Sequence, residues 1–206
     1  MIPIKINGKK LHIPTRWEDI TFKQYIEYQS MEKNDIYGLL EAFTGIGRDS
    51  WEKSKEVEGF YVIMNALAFV AKKPNMKYDC PLYVKIDGKD VRVPKELDRC
   101  TVKQYEDMRA LIQSHMKDKA VSDDVFPKIV AVYLCEEVTG RYGTREWEDT
   151  VPKVEELPFH EVVGIGNFFL RNLIELRSGT HRSWLHRLMS RRKYRQALKG
   201  LMRGVS

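Results

Sequence analysis

The side chains best suited to catalysis are few and scattered in this 206-residue chain. Its histidines are His12, His115, His160, His181 and His186, and its cysteines are Cys80, Cys100 and Cys135. A structural zinc site gathers four such donors, with neighbouring ligands only a few residues apart. No two cysteines lie that close, and His181 and His186 sit five residues apart, poor spacing for two ligands on one helix face. No metal ion and no cofactor is therefore expected. Gly164-Ile165-Gly166 lacks the third glycine and the preceding strand of a dinucleotide loop. Those glycines are read instead as permitting close packing beside Asn167-Phe168-Phe169. Gly45-Ile46-Gly47 reads as a helix stop, with Asp49-Ser50 leading into the next element. Neither a nucleophile elbow nor a phosphate-binding loop of the GxxxxGK[ST] type occurs. Glu18-Asp19, Glu136-Glu137 and Glu148-Asp149 are adjacent carboxylates on polar stretches, and nothing marks them as an acid and a base sharing one site. Trp17-Glu18-Asp19 recurs as Trp147-Glu148-Asp149. In each, the tryptophan is expected to anchor a loop on the core while the acids cap a turn. No catalytic residue is assigned, and the chain is read as non-enzymatic.

The elements that would carry any site are far more legible. Residues 4–28 and residues 84–108 are two copies of one segment, 80 residues apart without a gap. Lys5, Ile6, Gly8, Lys9, Pro14, Thr21, Lys23, Gln24 and Tyr25 are identical to Lys85, Ile86, Gly88, Lys89, Pro94, Thr101, Lys103, Gln104 and Tyr105. A repeat of this kind defines the unit of folding. Each copy opens with alternating apolar residues around Asn7-Gly8 or Asp87-Gly88, pairs that favour the type I′ turn of a tight hairpin. Ile4, Ile6, Leu11 and Ile13 line one face of the first hairpin, and Val84, Ile86, Val91 and Val93 line one face of the second. Pro14 and Pro94 end the second strand of each.

Thr21-Phe22-Lys23-Gln24 and Thr101-Val102-Lys103-Gln104 are capping boxes, in which threonine and glutamine each satisfy a backbone amide of the other. They predict a helix from 22 to about 32 and a longer one from 102 to about 117. The likeness continues from Leu39–Gly45 to Leu134–Gly140, two buried helices stopped by glycine. It continues again from Phe60–Ala68 to Val162–Leu170, with Asn65 opposite Asn167. Both of these last runs are apolar nearly all round, so each is expected to be a central buried helix. The fold class is α+β, mainly helical, with an internal duplication of a hairpin-plus-helices unit. The first repeat covers 1–72, a linker 73–81, the second repeat 82–176 and a basic segment 177–206. A lone hairpin is marginal in water, so the two are expected to pair into one four-stranded sheet or to pack on their own helices. The small core of each half favours one body with approximate twofold symmetry over two separate domains.

Charge divides the chain in the same place. Residues 177–206 hold nine Lys and Arg and no acid, while residues 1–176 carry 26 basic and 29 acidic side chains. A helix from about 181 would put Trp184, Leu188, Leu198, Leu201 and Met202 on one apolar face, with Arg191, Arg192, Lys193 and Arg195 as its cationic cluster. Four uses compete: docking on another protein or an acidic neighbouring subunit, neutralising nucleic-acid phosphates, lying on an anionic membrane, or packing on its own body. The working choice is docking on a protein, and those nine residues are the candidate partner-binding site. Nucleic-acid binding is the alternative. No apolar run is long enough to span a bilayer, no signal peptide is evident, and three widely spaced cysteines suit a reducing compartment.

The segment Ile13-Pro14-Thr15-Arg16-Trp17-Glu18-Asp19-Ile20-Thr21-Phe22-Lys23-Gln24-Tyr25 resembles the start of small proteins from the tail and head-completion gene clusters of tailed bacteriophages. Leu39–Gly45 and Val162–Leu170 are similar to the same group, so that the resemblance covers most of 1–176. The group most resembled is the tail assembly chaperone type. That resemblance implies a non-enzymatic protein that holds other phage structural or assembly proteins. It would act in the host cytoplasm during assembly, or stay in the virion as a head–tail connector or other component.

Overall fold

The computed structural model describes residues 1–6, 9–32, 34–53, 57–95, 100–117 and 120–177. The first repeat runs β1 (Ile2–Ile6), β2 (Lys9–Ile13), α1 (Phe22–Ser30), α2 (Ile36–Thr44), α3 (Arg48–Glu52) and α4 (Val57–Ala66). The second runs β3 (Tyr83–Ile86), β4 (Lys89–Arg92), α5 (Val102–Ser114), α6 (Phe126–Thr139), α7 (Thr144–Glu155) and α8 (Phe159–Arg177). A small extra hairpin, β5 (Met116–Lys117) and β6 (Ala120–Val121), lies between α5 and α6. The class is α+β and mainly helical. The two long hairpins stay separate two-stranded sheets. Ile4 pairs with Leu11 in one and Val84 with Val91 in the other. The hairpins pack on helices of their own repeat, β1 and β2 on α4 and α2, and β4 on α6. Helix packing supplies the burial that a lone hairpin lacks.

Local chemistry explains where the elements begin and end. Asp87 and Gly88 have φ of 50° and 77°, the left-handed pair that a type I′ turn requires. Asn7 and Gly8 lie outside the described residues. Both capping boxes form: the Thr21 and Thr101 side chains accept from the Gln24 and Gln104 amides at 3.2 Å, and both glutamines return a contact to the cap amide. Gly45 and Gly140 stop α2 and α6 in the left-handed region, each N–H donating to Glu41 O or Glu136 O at 2.8 Å. The helices after the capping boxes stop at Ser30 and Ser114, a little short of the sequence reading.

The core is continuous across both repeats. Its axis is α6, in which every residue from Ile129 to Cys135 is buried. Helix α8 joins it through Phe159, Val162, Val163, Ile165 and Phe169, all fully buried. Helix α4 does not: Ile63 is its buried residue, and Val57, Tyr61 and Val62 face solvent. The expectation of a central buried helix therefore holds for α8 and fails for α4. Apolar residues all round a helix show that it can be covered on every side, and tertiary neighbours decide whether it is. The second tryptophan expectation fails too. Trp147 stands in the first turn of α7 rather than in a loop. Its counterpart is Trp51 in α3, since Gly47-Arg48-Asp49-Ser50-Trp51-Glu52 matches Gly143-Thr144-Arg145-Glu146-Trp147-Glu148.

Candidate protein-docking site

The nine tail residues singled out from the sequence, Trp184, Leu188, Arg191, Arg192, Lys193, Arg195, Leu198, Leu201 and Met202, lie outside the described residues. The remaining candidates for chemistry lie on different elements of the described structure. His115 ends α5, with Nδ1 2.9 Å from Leu111 O and Nε2 3.0 Å from Lys128 Nζ. A carbonyl only accepts, so Nδ1 carries the proton and Nε2 accepts from the lysine. This arrangement closes a helix terminus. His160 lies against the Tyr78 ring at the start of α8, and His12 is exposed on β2. Burial pushes the Cys80 and Cys135 thiols up from the ordinary range. No group of three or more His, Cys, Asp or Glu among the described residues is placed to hold a metal ion. Two open clefts of about 290 Å³ flank α7, one against the β3–β4 turn and one against α5.

Polar groups converge instead where the first repeat meets the second. Phe22 N donates to Leu157 O and Phe159 N donates to Ile20 O, both at 2.9 Å, so residues around Thr21 pair briefly with those around Pro158. Phe159 is the keystone of this junction. Its ring lies 5.8 Å from Phe22 in a stacked arrangement, 4.6 Å from Tyr25 and 6.0 Å from Trp17. Tyr25 also reaches across, donating to Asp123 Oδ2 at 2.5 Å. Burial raises the Tyr25 hydroxyl well above the usual phenol range, and the Asp123 carboxylate raises it further.

The stretch between the repeats is packed against this junction. Trp17 Nε1 donates to Lys72 O at 3.1 Å, Tyr78 donates to Glu18 Oε1 at 2.8 Å, and Asn167 Nδ2 donates to Met76 O. Gly164 lets the chain at Asp79 lie directly on α8, because a methyl group there would run into the Asp79 carbonyl. Gly166 likewise makes room for the Phe126 ring. The Gly164-Ile165-Gly166 pair thus serves close packing, as its sequence context suggests. Asp19 fixes the turn that carries Trp17. Burial would raise its carboxyl, but donation from Thr15 N, the Met1 amino group, Arg16 and Thr15 Oγ1 outweighs that and holds it well below the usual range.

The same positions in the first repeat are bare. The sequence places Val57 opposite Phe159, Tyr61 opposite Val163 and Val62 opposite Gly164, with Ile63 and Leu67 opposite Ile165 and Phe169. The inward pairs are buried in both helices. The outward pairs differ: Phe159 and Val163 are fully buried, whereas Val57, Tyr61 and Val62 are 61%, 63% and 47% exposed. Across the repeat from Phe22, Val102 is 80% exposed. These four apolar residues form no part of the sequence-derived site. Superposing the repeats finds them, since Phe22 and Phe159 are both valine in the other copy. No family model, curated protein or solved structure matches the chain. Among the described residues, no helix is long and apolar enough to cross a membrane.

Proposed function

We propose that this chain is a non-enzymatic structural or assembly protein of a tailed bacteriophage, a tail assembly chaperone or a head–tail connector component, and that it acts by binding other proteins. The phage assignment rests on the resemblance carried by residues 13–25. That it acts through protein–protein contacts, whether with its own copies or with other proteins, is supported above all by the outer face of α4, where Val57, Tyr61 and Val62 stand in solvent on a helix whose counterpart is covered. Exposed apolar side chains grouped on one helix face mark interaction surfaces. The segment 177–206 adds nine cations to a body of net charge −3, which suits an acidic protein partner. The same nine cations favour nucleic acid as the second reading.

Co-expression separates the two. Full-length protein produced with the products of its flanking genes is expected to retain a structural protein through nuclease treatment and purification. The double substitution Trp184→Asp and Leu198→Asp is expected to release it. Retention of nucleic acid alone, lost steeply as salt rises and dependent on Arg191, Arg192, Lys193 and Arg195, would support the second reading instead.

A further inference from the structure

Within the chain, the first repeat grips the second in one direction. The N-terminus of α1, with Phe22 and Tyr25, covers the outer face of α8 at Phe159. The reciprocal contact would set the N-terminus of α5, with Val102 and Tyr105, on the outer face of α4 at Val57 and Tyr61. A twofold body would bury that contact too, but Val102, Val57 and Tyr61 are all open to solvent. Among the described residues, two surfaces that match each other through the internal duplication are therefore left without a partner.

We infer that these surfaces meet between copies: the α5 N-terminus of one chain docks on the α4 face of the next. The α1–α8 junction serves as the template for the contact. Lys103, the counterpart of Lys23, is exposed beside Val102, and Glu58 is exposed beside Val57, so the two rims carry opposite charges. Within the chain Lys23 pairs with Glu156 at 3.2 Å; Glu156 falls opposite Ser54, so Glu58 offers its charge from a different position on the α4 side. Two valines replace the stacked phenylalanines, which makes the contact between chains weaker than the one within a chain. Val62 stands where Gly164 admits the inter-repeat stretch, so the α4 face carries an apolar side chain at that place. Made reciprocally by two chains, the contact closes a twofold dimer; made head to tail, it builds a ring or a filament.

The inference is independent of the basic segment, and mixing experiments test it. Sedimentation velocity on nuclease-treated full-length protein is expected to show association that grows with concentration. Tyr61→Glu and Val102→Glu, both at exposed positions, are each expected to weaken it by at least about tenfold while leaving the thermal melt in place. Val57→Glu serves as a second lesion on the α4 face. Mixed in equal amounts, Tyr61→Glu and Val102→Glu chains should form a heterodimer that grows no further, because each blocks a different face. A wild-type chain that stays monomeric would overturn the inference. So would single variants that associate like wild type, as association through the basic segment alone would, or a mixture no heavier than its components.

Discussion

Helices α4 and α8 occupy the same place in two copies of one unit, yet α8 closes the core and α4 carries its outer apolar residues into solvent. Their inward residues are nearly interchangeable: Ile63 and Ile165 are both fully buried, and four residues on Leu67, just past the end of α4, matches Phe169 within α8. The outward residues have diverged, with Phe159 and Gly164 fitted to neighbours that Val57 and Val62 lack. Duplication thus preserves what a unit needs to fold by itself. It frees the surfaces through which one unit meets another.

The largest test of that contrast removes the keystone ring. At concentrations where the chain is monomeric, Phe159→Ala is expected to cost about 3–5 kcal/mol by chemical denaturation. Val57→Ala at the matching position should stay within about 0.5 kcal/mol. Comparable losses would mean that α4 is covered within the chain after all. Next in size is Gly164→Ala, expected to destabilise by about 1–3 kcal/mol despite alanine's helix preference, because the Asp79 backbone has nowhere to go. Its counterpart Val62→Ala should be near neutral. Tyr25→Phe strips Asp123 of its donor and should cost about 1–2 kcal/mol, whereas Tyr105→Phe should change the denaturation midpoint little. The smallest effects should be equal in the two halves. Thr21→Ala and Thr101→Ala each remove one side of a capping box and should each cost about 1 kcal/mol. A marked inequality between them would show that the caps, too, have diverged.

What was legible in the sequence was what neighbours in the chain dictate. Asp87-Gly88 turns, Thr21 and Thr101 cap, and Gly45 and Gly140 stop helices, because each of these depends on a few bonds within one or two turns. The burial of α4 was misjudged because residues 60–68 are apolar enough for either fate. Their exposure depends on which elements come to rest on them. A linker over 73–81 carries no sign of the packing of Met76 and Asp79 on α8, which rests on Gly164 and Asn167, about ninety residues away. The third hairpin, β5–β6, is only two residues long on each side, too short for an alternating pattern to announce it. Trp147 was matched to Trp17 by its tripeptide when its environment, a glycine-capped helix, matches Trp51. The open docking face was within reach of the sequence, in the replacement of Phe22 by Val102 and of Phe159 by Val57. Reading it required knowing that those two phenylalanines touch.

The most direct test of the central contrast is the solution mass of nuclease-treated full-length protein, measured by light scattering in line with size exclusion over a range of loading concentrations. A covered α8 and an open α4 predict a mass that climbs above one chain with concentration, either settling at a closed dimer or ring or continuing to grow. A monomer at every concentration would contradict it, because the α4 face would then be closed by something other than the next copy.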